Sequence, residues 1–147
     1  MKFTVPGEPC GKARPRVVRN GNFTQAFTPE KTVNYENLVK LEYQRQCGNA
    51  CITEGGVRVR ITARFGIPSS ASKRKKSAML CGAIRPTKKP DCDNIVKIIC
   101  DALNGIAYKD DAQIVAVYIE KFYATMPSVE VEIREEITHE SLCDYRS

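Results

Sequence analysis

Residues 89–114 read KPDCDNIVKIICDALNGIAYKDDAQI, and the rest of the chain is organised around them. Ile95, Ile98, Ile99, Ala102 and Leu103 recur at i, i+3, i+4, i+7 and i+8, which predicts an amphipathic helix. Asn104-Gly105 then reads as a helix C-terminal signal. On a wheel of about 100° per residue with Asp93 at zero, Lys97 falls near 40°, Asp101 near 80°, and the apolar positions at about 140° to 280°. Such a helix buries one face and presents Asp93, Lys97 and Asp101 on a polar stripe. Asp91 and Asp93 sit at its mouth, just after Pro90. A loop over 106–112 carries Asp110 and Asp111 and is long enough to fold back towards that mouth.

Five of the six aspartates fall in the 21 residues from Asp91 to Asp111, and the 90 residues before them contain none. The charge is split in the same way. Residues 1–90 hold 18 Lys/Arg and 5 Glu, a net +13, whereas residues 91–147 hold 5 Lys/Arg and 12 Asp/Glu, a net −7. Crowded carboxylates repel one another unless a cation lies between them, and magnesium, a hard cation, takes oxygen ligands of this kind together with substrate phosphate. The basic half attracts polyanions, so nucleic acid is the natural partner.

Each carboxylate also has a plainer reading. Asp91 or Asp93 would serve as a helix cap, Asp101 would pair with Lys97 four residues before it, and Asp110-Asp111 would be turn residues. Their combination in one window favours a metal site. Other chemistry is scarce: His139 is the single histidine, and neither a GxSxG elbow nor a P-loop occurs. Histidine-based catalysis of the HNH type is therefore disfavoured. Any hydrolysis would fall to a metal that activates water, with Lys97 neutralising charge on the scissile phosphate.

The flanking segments predict an α+β fold: a small mixed β-sheet flanked by helices, in the order β-α-β-(α)-α-β-β. Lys2 to Pro6 reads as an edge strand and residues 7–28 as a loop carrying Lys12, Arg14, Arg16 and Arg19. Thr28-Pro29 reads as N-cap and first position of a helix over 29–47, with Tyr35, Leu38, Val39 and Tyr43 at helical spacing and Gly48 as its stop. Val57 to Ile67 alternates apolar residues with Arg58, Arg60 and Arg64, as a half-buried strand ended by Pro68 does. Residues 69–90 form a basic connector with Lys73, Arg74, Lys75, Lys76, Lys88 and Lys89, and a short helix is expected over 71–80. Ile114–Ala124 and Ser128–Glu135 read as two strands, most simply a hairpin through Met126-Pro127. Phe23, Phe27 and Tyr108 are candidates for stacking on an unpaired base, or for ordinary packing.

The length suits one domain over 1–136 with a polar tail over 137–147. Seven cysteines without a CxxC read as small reduced residues rather than a zinc site. No apolar run suggests a signal peptide or a membrane span, so the chain is read as cytoplasmic and without membrane partners.

The run Asp91-Cys92-Asp93-Asn94, Lys97, Asp101-Ala102-Leu103 and Asp110-Asp111-Ala112-Gln113 resembles the RusA-type Holliday junction resolvases, small phage and prophage endodeoxyribonucleases. The GKARPR stretch and the helix after Thr28-Pro29 are similar to Gram-positive and phage members. The resemblance implies a homodimer that nicks four-way DNA junctions symmetrically with magnesium, or manganese in its place. It implies Asp91, Asp93 and Asp111 as metal-binding carboxylates, Lys97 as the essential lysine, and Asp110 as a neighbouring acid of secondary role. The chain departs from a well-known member of the family in two basic segments, a long, arginine-rich Gly11 to Phe27 and a longer connector over residues 68–90. Both are expected to touch the DNA backbone, so junction selectivity and cleavage sequence do not carry over from the resemblance. The competing reading is a non-catalytic module that binds junctions or other DNA.

Overall fold

A computed structural model describes residues 1–136. The expected tail and His139 lie outside the described residues. The element order is β1 (Lys2–Pro6), β2 (Arg16–Asn20), β3 (Phe23–Phe27), α1 (Glu30–Cys47), β4 (Val57–Gly66), α2 (Lys73–Leu80), α3 (Cys92–Leu103), β5 (Ile114–Ala124) and β6 (Ser128–Glu135). A short 3₁₀ turn, Asp111–Gln113, precedes β5. The main sheet runs β1-β6-β4-β5, with β4 parallel to β5 and antiparallel to β6. The expected α+β class with a mixed sheet is what the chain adopts.

The strand β4 takes the centre because it is the most apolar on its inner face. Val57, Val59, Ile61, Ala63 and Phe65 are all buried, and the intervening side chains are exposed or half-buried. The helices cover that inner face. Tyr35, Val39 and Tyr43 of α1 and Ile95, Ile98, Ile99 and Leu103 of α3 join it in one hydrophobic core with Phe3, Val131 and Ile133. Ring packing is specific within it: Phe3 meets Tyr43 edge-to-face at 5.4 Å. No helix among the described residues is long and apolar enough to cross a membrane.

Three local expectations are corrected. The hairpin expected between β5 and β6 does not form, because β4 lies between them and pairs with both. The connection 125–127 passes over the end of β4, where a side chain at Gly66 would come within 3.9 Å of Pro127 Cγ and 2.5 Å of Glu8 Oε1. The Pro127 distance is ordinary contact, and the tight approach is that of Glu8, whose Oε1 accepts from Gly66 N–H at 2.9 Å. The loop expected over 7–28 contains a hairpin instead, β2 paired with β3 through Gly21-Asn22. Gly21 has φ +62° and Asn22 has no positive φ, the pattern of a type II′ turn whose twist suits adjoining strands. The third concerns α1, whose N-cap position is held by Pro29 rather than Thr28 and makes no side-chain cap hydrogen bond. The smaller helix α2 starts at Lys73, with the Ser72 hydroxyl accepting from Lys75 N–H at 3.3 Å.

The outer face of the sheet brings the basic half of the chain against the acidic half. Arg58 pairs with Glu136 at 2.8 Å, Arg64 with Glu130 at 3.0 Å, and Lys2 with Glu130 at 2.7 Å. Arg60 lies over the Tyr118 ring at 5.0 Å. The arginines of β4 therefore face solvent already paired, not as a free basic surface.

Glu130 provides a test of this face. A hydrogen bond from Lys2, joined by Arg64, outweighs desolvation and holds its carboxyl below the usual range. A folded value below the unfolded one means the stabilisation is present above about pH 4.5 and is lost as pH falls through the folded value. Glu130→Gln is expected to lower stability by up to about 1 kcal/mol at pH 7 in low salt. Chemical denaturation is expected to show the difference vanish at pH 3 and shrink in high salt.

Candidate active site

The amphipathic geometry of α3 sets the site. Six of its residues are buried, among them Ile95, Ile98, Ile99 and Leu103, while Asp93 and Lys97 are exposed and Asp101 is half-buried. The predicted polar stripe is therefore present, opposite the core. Asp91 occupies the N-cap position of α3 with extended backbone, yet its side chain makes no cap hydrogen bond. Its carboxylate is exposed and left for other ligands. Asp93 lies in the first turn, where the helix dipole favours an anion.

The segment before the ribbon is fastened to this helix. Lys12 N–H donates to the Asn94 carbonyl at 3.0 Å. Gly11 lies so close that an added Cβ would stand 2.8 Å from Pro90 Cβ and 3.1 Å from Asn94 Cβ. The Lys12 side chain runs along the stripe to Asp101 Oδ2 at 3.4 Å and also pairs closely with Glu36 of α1. Burial alone would lower the Lys12 pKa, but Glu36 and Asp101 outweigh it and raise the value, so the ammonium stays charged. Asp101 thus takes Lys12 as its partner and not Lys97. Among the described residues Lys97 makes no ion pair, and its ammonium remains exposed.

The second acidic pair lies elsewhere than expected. Asp111 N–H donates to Asn104 Oδ1 at 3.2 Å, which holds the 3₁₀ turn at the C-terminal end of α3. From Asp93 to Asn104 the helix axis rises by roughly 16 Å. The loop does not fold back to the mouth, because it is tied to the segment before β4. Ile52 N–H donates to the Ala107 carbonyl at 2.9 Å, and Lys109 N–H donates to the Ile52 carbonyl at 3.2 Å. Gln113 Nε2 donates to the carbonyls of Ile52 and Gly55, both at 3.2 Å.

Asp110 and Asp111 are not equivalent. Asp110 Oδ1 accepts from Ala112 N–H at 2.9 Å, and Asp110 N–H donates to Gln113 Oε1 at 2.9 Å, a reciprocal capping box. That backbone hydrogen bond holds the Asp110 carboxyl below its usual range. Asp111 is pushed up, first by its hydrogen bond to the Asp110 side chain, then by desolvation and the negative charges of Asp110 and Asp101. Asp110 therefore has a structural task, and Asp111 is the carboxylate left in an uncompensated negative field.

The structure thus spreads the acids along α3, with Asp91 and Asp93 at one end and Asp101, Asp110 and Asp111 at the other. Among the described residues, no group of three or more His, Cys, Asp or Glu side chains stands close enough together to enclose a metal ion. The donor chemistry still fits magnesium, which keeps several waters and is held by one or two carboxylates plus substrate phosphate. Asp91, free of a capping task, with Asp93 at one end of α3, and Asp111, in need of a counter-charge, at the other, each offer one or two such carboxylates.

The basic residues divide in the same way. Lys73, Arg74 and Lys75 on α2, Arg14 before β2, Arg19 near the hairpin turn, and Lys89 are exposed, and Lys76 is half-buried. Arg16 lies within β2. Lys88 is exposed, and its ammonium lies 5.8 Å from the centre of the Phe65 ring. Tyr108 is no stacking candidate: it is fully buried, and its hydroxyl donates to the Cys100 carbonyl at 2.6 Å. Cys10 and Cys100 fit the reading of cysteines as core residues, whereas Cys51, Cys81 and Cys92 are exposed; all six described cysteines are free. Sequence reasoning missed Glu36. It follows Thr32 by four residues and precedes Val39 by three, so it sits on the buried stripe of α1, where a charge requires a partner.

Replacing Asp111 tests the crowding. Its folded pKa is raised, so the stability tied to its protonated form is present below the unfolded value and lost as pH rises through the folded one. In EDTA at pH 7, Asp111→Asn is expected to melt above the wild type. At pH 3 the two are expected to melt together. A lower melting temperature for the variant at pH 7 would show that Asp111 is a structural residue.

Residues 6–134 match the family model described as Endodeoxyribonuclease RusA. The chain is also 42% identical over 138 residues to the uncharacterized protein YqaN of Bacillus subtilis (strain 168), an alignment covering 92% of this chain and 96% of that protein.

Proposed function

The chain belongs to the endodeoxyribonuclease RusA family, and from that membership we propose that it resolves four-way DNA junctions by paired, symmetric phosphodiester cuts that depend on magnesium. The observation that carries this reading is the exposed stripe of α3, where an N-cap aspartate, Asp91, makes no cap hydrogen bond and Lys97 makes no ion pair among the described residues. A merely structural helix end would use that carboxylate to satisfy its own backbone. By family resemblance Asp91, Asp93 and Asp111 would be the ligands of magnesium, with manganese able to replace it, and Asp110 would fix the turn that carries Asp111. Because Asp111 stands at the other end of α3, one ion would take its carboxylates from one end and complete its shell with water and substrate phosphate. When bound, the ion supplies an acidified water and neutralises charge on the phosphate.

The protein's own groups do the remaining work. Lys97 presents an ammonium on the same stripe, where it meets the negative charge that grows on the phosphate in the transition state. Lys12 holds Asp101 and Glu36 in one network and thereby sets the spacing of α1, α3 and the basic segment. The exposed cations of α2 and of the segment before β2 bind phosphates and position the DNA. A homodimer matches a two-fold substrate and gives one site per cut.

Cleavage of a fixed synthetic junction tests the reading. Wild type in magnesium is expected to give paired, symmetric nicks that EDTA abolishes. Asp93→Asn is expected to lose at least about 10³-fold in rate, about 4 kcal/mol of transition-state stabilisation, while junction affinity holds or improves. Tight binding without nicking by the wild type would replace the proposal with a non-catalytic junction-binding module. Phosphate contacts are tested separately. Arg14→Ala is expected to weaken binding most at low salt and to reduce the slope of log K against log salt by about one. A salt-independent defect would assign Arg14 to folding.

A further inference from the structure

The β2–β3 hairpin stands apart from the main sheet as a separate two-stranded ribbon. Its five backbone pairs run from Arg16–Phe27 to Asn20–Phe23. At about 3.4 Å per residue the ribbon reaches roughly 17 Å beyond its feet. The feet are held beside the acidic helix: Lys12 N–H bonds Asn94 of α3 at 3.0 Å, and Ala13 N–H bonds Thr32 Oγ1 of α1 at 3.4 Å. An isolated two-stranded hairpin is only marginally stable in water, so a ribbon left alone in this way is suited to a partner.

Its surface says what that partner is. Phe23, the first residue after the two-residue turn, is 81% exposed, and Val17 and Val18 are 65% and 48% exposed. Residues 11–28 carry four basic residues and no acid. Lys12 is taken up by Glu36 and Asp101, but Arg14 and Arg19 are exposed and make no ion pair among the described residues. Such cations beside an apolar tip complement a molecule with phosphates outside and ring faces within, which is DNA. The major groove admits a two-stranded ribbon and is about 8.5 Å deep, so this reach is long enough to bring the tip to the bases while Arg14, near the feet, stays at the phosphates. In an intact duplex the base faces are stacked and closed. At an opened strand crossover the flanking pairs present a free face.

We propose that the β2–β3 ribbon is the arm that recognises the DNA branch, with Phe23 stacking on the base face exposed at the crossover. This rests on the reading of the chain as a junction nuclease. It adds to that reading a separation of tasks: the α3 stripe cuts, and the ribbon selects where. Because Phe23 is exposed and lies away from the core, its replacement leaves folding and the acidic stripe intact.

The test compares full-length wild type, Phe23→Ala and Phe23→Trp in EDTA, so that no DNA is cut. Binding to a fixed junction and to a duplex of the same sequence is measured by anisotropy, with 2-aminopurine at the crossover as a stacking probe. The wild type is expected to prefer the junction and quench the probe. Phe23→Ala is expected to lose about tenfold or more of that preference with duplex affinity unchanged and no quenching, and Phe23→Trp to retain both. A Phe23→Ala protein that keeps the preference and the quenching overturns the proposal. So does one whose sedimentation changes, because the ribbon would then be a contact between copies of the chain. A wild type with no preference for the junction overturns it as well, and that result alone also removes the junction-nuclease reading.

Discussion

Burial of Ile95, Ile98, Ile99 and Leu103 fixes the rotation of α3, because a helix cannot hide its apolar face without turning the opposite one outward. Each of these side chains is fully buried, and burial of each contributes roughly 1.5–3 kcal/mol. Rotating the helix by one residue would exchange part of that burial for a desolvated carboxylate, Asp101 in one direction or Asp93 in the other. The positions of Asp91, Asp93, Lys97 and Asp101 are therefore set by the core. The other parts of the site are attached to the helix so fixed: Lys12 at Asn94, and Asp111 at Asn104.

The fold also redistributes charge. In sequence the basic and acidic halves are separate, yet β4 is paired with β5 and β6, and its arginines meet the glutamates of those strands and of Glu136. That neutralises the sheet's outer face and leaves uncompensated cations on α2 and on the segment before β2. Asp91 and Asp93 of α3, and Asp110 and Asp111 of the turn after it, make no ion pair among the described residues, whereas Asp101 is paired with Lys12. Opposite potentials are thus left on neighbouring loops and helix, an arrangement suited to holding a polyanion by its phosphates while carboxylates stay close to it.

Asp110 and Asp111 show how one residue frees another. The capping box formed by Asp110 and Gln113 makes the 3₁₀ turn, and Gln113 also ties the turn to Ile52 and Gly55. With the turn largely satisfied by Asp110 and Gln113, the Asp111 carboxylate has as local partners only the Asp110 side chain and the Ala112 N–H. It carries instead the negative field of its neighbours, which a cation would relieve.

Periodicity is a local property, and what rests on it was legible without the fold. The buried and polar faces of α3, the alternation of β4, the length of α1 with its Gly48 stop, and the family signature from Asp91 to Gln113 all follow from spacing along the chain. Gly21-Asn22 between Arg16–Asn20 and Phe23–Phe27 was a legible hairpin signal too, outweighed by the glycines and prolines around it. Which strands become neighbours was decided only in three dimensions, since alternation marks a strand without naming its partner. The choice of β4 as the strand between β5 and β6 depends on its burial. The pairing of Asp101 with Lys12 rather than Lys97, and the placement of Asp111 beside Asn104 rather than at the helix mouth, likewise depend on segments far apart in sequence. The sequence by itself determined the window that matches the family and which of its polar residues share the outward face of α3; the tertiary structure decided their partners, because contacts between distant segments exist only once the core has closed.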